Sequence, residues 1–136
     1  MSLLLLLLAL LVGAGGVTMC SVKGEPSIAS QAKDEIPSWA KQEAFEHNPQ
    51  ALAGARLFAE SDCTNCHTYL GFGSRNLGAR DLSAEGTKGR TLAYLIRYMR
   101  CPSCVTPDSP MPAFAALGAK DLRLLAVFLE ASKGPR

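Results

Sequence analysis

Residues 63–67 read Cys-Thr-Asn-Cys-His, and a Cys-x-x-Cys pair followed at once by His constrains the chain to wrap what that motif holds. Two thiols three positions apart can each add to one of the two vinyl groups on a porphyrin edge. The next residue, His67, is then held beneath the ring, where an imidazole nitrogen can ligate iron as the proximal ligand. Cys63 and Cys66 are therefore the expected thioether residues, and His67 the expected iron ligand, of one covalent haem c. The competing readings are a zinc half-site and a redox Cys-x-x-Cys. A structural zinc takes four ligands, and the only other histidine is His47.

A chain of 136 residues with 48% hydrophobic content has room for one small domain plus appendages. Five cysteines in so short a chain fit an oxidising compartment better than a reducing cytosol, so the domain is expected outside the cytoplasmic membrane. Residues 3–19 form an uncharged apolar block that reads as a secretory h-region or membrane anchor. Its seventeen residues fall short of the roughly 20 that span a hydrocarbon layer, which favours a cleaved signal, although no Lys or Arg precedes the block. Cys20 closes it and resembles the lipid-modified first residue of mature bacterial lipoproteins, with Met19 standing where such signals usually carry a small residue. It is also the odd cysteine once two are assigned to haem and two to a second pair.

The chain thus divides into a leader or anchor over 1–20, a polar linker over 21–46, and a domain over 47–136. The linker holds consecutive Lys33, Asp34 and Glu35, with prolines at Pro26 and Pro37, which suits a surface segment. A short helix is expected from Ser38 to Glu46, with Trp39 and Phe45 packing on the domain rather than on a partner. Three basic and five acidic side chains fall in the linker, leaving eleven against seven from residue 47 onward. The domain is therefore basic.

Asn48 suits a helix N-cap and Pro49 the first helical position, predicting a helix over 49–60 with Leu52, Ala55, Phe58 and Ala59 inward. The glycine-rich stretch after His67 has no sustained period and predicts a loop wrapped around something large and flat. Leu92, Leu95, Ile96 and Met99 predict a second helix over 91–100, stopped by Cys101-Pro102. Leu122, Leu125, Ala126 and Leu129 predict a third, with Asp121 in its first turn and Gly134 beyond its end. No alternating strand pattern occurs. The class is all-α, three main helices around one haem that itself serves as core.

Asp108-Ser109-Pro110-Met111-Pro112 sets a thioether between two prolines that stiffen the backbone. Such stiffness suits a ligand, and a Met completing the haem iron opposite His raises the reduction potential. Met111 is the expected sixth ligand; Met99, in a core stripe, and His47, at the domain edge, are the competing candidates. Cys101-Pro102-Ser103-Cys104 is a second Cys-x-x-Cys, but Val105 follows it, so a second haem is not expected. A disulfide is expected there, with a free redox pair as the alternative. Arg75, Arg80, Lys88, Arg90, Arg97 and Arg100 are either a solvated face or a basic surface for an acidic partner. Few basic residues follow residue 100, and there is no aromatic interleaving, so nucleic acid is not an expected partner.

Across residues 49–133 the chain resembles the small monohaem class I cytochromes c. The resemblance is carried by Gly54 and Phe58 before Cys63-x-x-Cys66-His67, the mid-chain helix ending at a proline, Met111-Pro112, and the helix over Asp121 to Leu129. It implies that the first and last helices cross near Gly54, Phe58 and Phe128, and that Met111 is the distal ligand. Family members often carry Gly-Pro-x-Leu after the haem motif, with the proline carbonyl accepting from the proximal imidazole. Here the chain reads Gly78-Ala79-Arg80-Asp81-Leu82, so another carbonyl must hold the second nitrogen of His67. The run His67 to Gly73 is also similar to the start of the membrane-anchored cytochrome c subunit of nitric oxide reductases.

The resemblance implies no enzyme but a one-electron carrier of a respiratory or photosynthetic chain. The 3–19 block, Cys20 and the cysteine content add the expectation of an N-terminal tether at the outer, periplasmic face of a bacterial cytoplasmic membrane. The carrier would be either a shuttle or a subunit of a membrane oxidoreductase complex. Its partners would be membrane-bound redox complexes, with a quinol-oxidising complex as donor and a terminal oxidase or reaction centre as acceptor. The alternative is a haem enzyme or gas sensor with a displaceable sixth ligand.

Overall fold

Four α-helices carry the described residues, and their ends are capped where the sequence provides the caps. In the computed structural model, which describes residues 25–135, Asn48 Oδ1 accepts from Ala51 N at 3.0 Å and Pro49 opens helix α2, Pro49–Glu60. Thr91 Oγ1 accepts from Tyr94 N at 3.1 Å and starts helix α3, Leu92–Arg100. Helix α4, Gly118–Ala131, ends where Ser132 turns out of helical geometry. Residues 1–20, including Cys20, lie outside the described residues. No helix among the described residues is long and apolar enough to cross a membrane.

Helices α2 and α4 form the main packing pair. Their contact depends on Gly54: a Cβ there would fall onto the Leu124 carbonyl oxygen and lie 2.7 Å from Phe128 Cβ. Only a residue without a side chain lets the two backbones come this close. Phe58 and Phe128, both fully buried, fill the space beside it with ring centroids 5.3 Å apart. Helix α3 packs on α4 through Leu95 and Met99.

Within the segment expected as a polar surface linker over 21–46, residues 28–45 contribute to the core. Helix α1, Ile28–Glu43, opens with Ser27 Oγ accepting from Ser30 N at 3.2 Å and continues through Pro37. Ala32, Ile36, Trp39 and Ala40 are buried and fall at helical spacing, and Phe45 beyond the helix is buried as well. Together these side chains form an apolar stripe inside a polar composition. Burying them offsets the hydrogen bond and the fit that an interior proline costs. Helix α1 packs chiefly on α2, so the helices number four rather than three. Trp39 and Phe45 do pack on the domain.

A minimal hairpin, Thr68–Tyr69 (β1) paired antiparallel with Phe72–Gly73 (β2), follows the Cys-x-x-Cys-His run directly. Leu70 and Gly71 both have positive φ, the requirement of a tight two-residue hairpin turn. Two-residue strands are too short to show alternation in sequence. Tyr69 points inward with its ring centroid 4.8 Å from Phe128 and 4.9 Å from Trp39. Ser132 Oγ donates to Phe128 O at 2.8 Å, so the Tyr69 hydroxyl donates to Ser132 Oγ at 2.7 Å. This fully buried hydroxyl ties the hairpin to the end of α4, and burial pushes its pKa well above that of an ordinary phenol.

Candidate functional site

A cavity of about 880 Å³ opens between the end of α2, the 63–67 run, the 77–82 loop, α3, the segment around Met111 and α4. That volume lies in the range of cofactor and small-molecule sites. Phe58, Leu82, Leu95, Leu125 and Leu129 give it apolar walls, and Cys63, Cys66, His67 and Met111 all line it.

The 3₁₀ turn Cys63–Asn65 delivers the motif residues to the cavity, with His67 N donating to Cys63 O at 2.9 Å. Gly73 allows β2 to lie against this turn, since a Cβ there would meet the His67 carbonyl oxygen. The loop beyond the hairpin is then fastened back onto it. Thr68 Oγ1 donates to Asp81 Oδ2 at 2.6 Å, Ser83 N donates to Asp81 Oδ1 at 2.9 Å, Leu82 N donates to Thr68 O at 2.9 Å, and Leu70 N donates to Ser83 Oγ at 2.7 Å. Burial raises the Asp81 pKa, but the hydrogen bonds from Thr68 and Ser83 outweigh it and hold the carboxyl below its ordinary range.

The consequence of this bracing is the position of one carbonyl. Arg80 O lies 2.8 Å from His67 Nδ1. A carbonyl oxygen only accepts, so Nδ1 of the neutral ring carries the proton and Nε2 keeps its lone pair for a metal. This is the missing acceptor that the sequence required but did not identify. Backbone carbonyls carry no residue signature; the Thr68–Asp81 pairing that sets this one joins residues thirteen apart.

Cys63 and Cys66 are half-buried and reduced. Burial pushes the Cys63 thiol up to about 12, which disfavours a free thiolate there. Among the described residues no three His, Cys, Asp or Glu side chains converge to hold a bare metal ion.

Met111 is half-buried, and its N–H donates to Ser109 Oγ at 3.4 Å. Ser109 Oγ is in turn 3.3 Å from the Tyr98 hydroxyl, so α3 steadies the residue that precedes Pro110 and Met111. The hydrogen bond with Ser109 lowers the Tyr98 pKa. Met99 also lines the cavity but is buried in α3, with its carbonyl accepting from Phe114 N at 2.9 Å. His47 is exposed and away from the cavity. Cys101 and Cys104 are joined by a disulfide between α3 and the Met111 segment.

The basic run is less uniform than its sequence implies. Glu85, almost fully buried, accepts Lys88 at 2.6 Å and Arg90 at 3.0 Å, and both Glu85 and Arg90 face the cavity. Arg80 also lines the cavity, and Arg97 Nη2 donates to Cys104 O at 3.4 Å. A glutamate three residues before a lysine was the available signal for this cluster. Comparison of the chain with protein-family models, curated proteins and solved structures finds no match.

Proposed function

We propose that the chain is a monohaem cytochrome c of class I type that carries single electrons. One observation carries the reading: an imidazole fixed through Nδ1 by the Arg80 carbonyl stands in the same apolar cavity as two thiols and a thioether. That donor set fits haem c. When bound, the group supplies reversible one-electron chemistry at its iron. Cys63 and Cys66 would hold it through thioethers and His67 would ligate its iron through Nε2, with the Arg80 carbonyl fixing the tautomer and orientation of that ring. Met111, on its proline-stiffened segment, would be the other iron ligand. Leu82, Leu95, Leu125 and Leu129 exclude water, which keeps the change of charge in a preformed environment. No acid or base is required of the protein, in keeping with a carrier rather than an enzyme.

The proposal extends to an N-terminal tether, through the 3–19 block or a lipid on Cys20, at the outer face of a bacterial cytoplasmic membrane. Its partners are membrane-bound redox complexes with acidic docking faces. The test is chemical. The haem should survive acid-acetone extraction, and changing Cys63 and Cys66 together to Ala should abolish its retention. The ferric protein should show the weak far-red band of a Met–iron bond, the ferrous protein should not bind carbon monoxide, and Met111→Ala should reverse both. Ready carbon monoxide binding by the unaltered protein would replace the carrier with a ligand-binding or catalytic haem.

A further inference from the structure

The Cys101–Cys104 disulfide spans three positions in sequence, and nothing in the proposed electron transfer uses it. Cys101 is the C-cap of α3, its N–H donating to Arg97 O at 3.0 Å. Cys104 ends the 3₁₀ turn Pro102–Cys104 that begins the run to Met111. Cross-linking so few residues does little for the fold as a whole, because the constraint on the unfolded chain is smallest for the smallest loops. Its effect is local: it fixes the direction in which the chain leaves α3 for Met111.

The other ties are mostly local: Cys104 N donates to Cys101 O at 3.1 Å, and Val105 N and Thr106 N donate to Pro102 O at 3.0 and 2.8 Å. Side chains of α3 reach the run through Arg97 Nη2 at 3.4 Å from Cys104 O and through the Tyr98 hydroxyl, which bonds Thr106 and lies 3.3 Å from Ser109 Oγ. The next firm tie, Phe114 N to Met99 O at 2.9 Å, comes only after Met111. Pro102 is fully buried and anchors the start of the run, whereas Ser103, Cys104 and residues 106–108 are exposed. Exposure also makes the disulfide of the labile kind. Cys101 is half-buried, so Cys104 is the sulfur an outside thiolate reaches. Ser103 Oγ, 3.9 Å from Cys101 Sγ, is the polar group beside the sulfur that leaves.

We propose that Cys101–Cys104 is a site of thiol–disulfide exchange with a protein dithiol, and that opening it loosens Met111 as an iron ligand; the second half rests on the haem reading above. A partner thiolate attacks Cys104 Sγ, a new intermolecular S–S bond forms, and the Cys101–Cys104 bond breaks with its electron pair leaving on Cys101, which takes up a proton. The partner's second thiol, deprotonated, attacks the partner sulfur of that mixed disulfide. Cys104 leaves as a thiolate and is protonated. Two electrons and two protons pass to this chain, and the dithiol ends as a disulfide. With the link open, the constraint released from so short a loop corresponds to roughly a tenfold gain in accessible arrangements, and Met111 spends correspondingly more time off the iron.

The test uses the haem-loaded full chain in three forms. One is untreated; one is reduced with dithiothreitol, capped with iodoacetamide, freed of reagents and reoxidised at the iron with ferricyanide; one is the Cys101→Ser, Cys104→Ser double variant. Thiol titration reads the disulfide, while the far-red band and the rate of carbon monoxide binding to the ferrous protein read Met111. The expected result is two new thiols after dithiothreitol, with a weaker band and roughly tenfold faster carbon monoxide binding in both opened forms. A disulfide that resists dithiothreitol, or opened forms that keep the band and the rate, overturns the proposal. If the double variant does not fold, the capped form decides. A chain without haem before any thiol is opened refutes the proposed function and the Met111 half with it, and the titration alone then decides the exchange half.

Discussion

Replacing Trp39 with Ala asks whether α1 is structural or an appendage. The side chain is 1% exposed and stands where α1 meets α2 and the hairpin, with ring centroids 4.9 Å from Tyr69 and 6.2 Å from both Phe58 and Phe72. Truncating a buried Trp to Ala costs about 3–5 kcal/mol, and the loss of well-oriented ring pairs puts this site toward the upper part of that range. A small domain holds roughly 5–15 kcal/mol in all. At about 4 °C per kcal/mol for a domain of this size, the midpoint of thermal unfolding should fall by roughly 12–20 °C. The assay is urea unfolding followed by far-UV circular dichroism, since Trp39 is the only Trp in the chain and its fluorescence disappears with it. Ile28→Ala, at a position 41% exposed, is the control and should shift stability by no more than about 0.5 kcal/mol. A loss below about 1 kcal/mol at Trp39, with the urea slope unchanged, would return α1 to the status of a linker.

Asp81 has a lowered pKa in the folded state, so its contribution is fully present above the ordinary carboxylate value near 4 and is lost as pH falls through the lower folded value. Asp81→Asn should therefore flatten the acid limb of the stability curve, and an unchanged limb would show that the brace contributes nothing. Met99→Ala should cost about 2–5 kcal/mol in chemical unfolding while leaving the haem spectrum intact; a changed spectrum would transfer the distal role from Met111. Association with an acidic redox partner should weaken as salt rises, with screening set by a Debye length of about 8 Å at physiological ionic strength. A salt-independent electron-transfer rate would point to pre-assembled contact.

The sequence made α2, α3 and α4 legible because each carries an apolar stripe within one short window, and α2 and α3 a side-chain cap as well. Asn48-Pro49 and Thr91 act on neighbours three residues away, so local chemistry decides them. Of α1 the sequence predicts only the C-terminal part, as a helix from Ser38 to Glu46, because the signal before it is sparse. Ala32, Ile36, Trp39 and Ala40 sit among lysines and acids, and Pro37 reads as a stop. What overrides that local signal is tertiary: Trp39 gains its partners from Phe58, Tyr69 and Phe72, residues that a window around α1 does not contain.

The candidate site divides along the same physical line. Cys63, Cys66 and His67 are close in sequence, and their spacing alone proposes a chemistry. Met111, singled out by the prolines beside it, lines the same cavity. The groups that orient these residues are not legible in the sequence, because each acts through a backbone atom or a contact between distant segments. Arg80 reaches His67 through its carbonyl, and Asp81 fixes that carbonyl by accepting from Thr68; neither role depends on the charge that makes Arg80 conspicuous in the sequence. Charge was misleading in a second way. Six basic residues between Arg75 and Arg100 imply one continuous positive face, yet Lys88 and Arg90 converge on buried Glu85. Among the described residues Arg75, Arg80, Arg97 and Arg100 form no ion pair, and all four are exposed. On the proposed function, an acidic docking partner would meet these four guanidinium groups more strongly than the paired cations. Charge reversal at Arg75 or Arg100 should slow association more than the same change at Lys88, whose first effect is to leave Glu85 with one fewer partner.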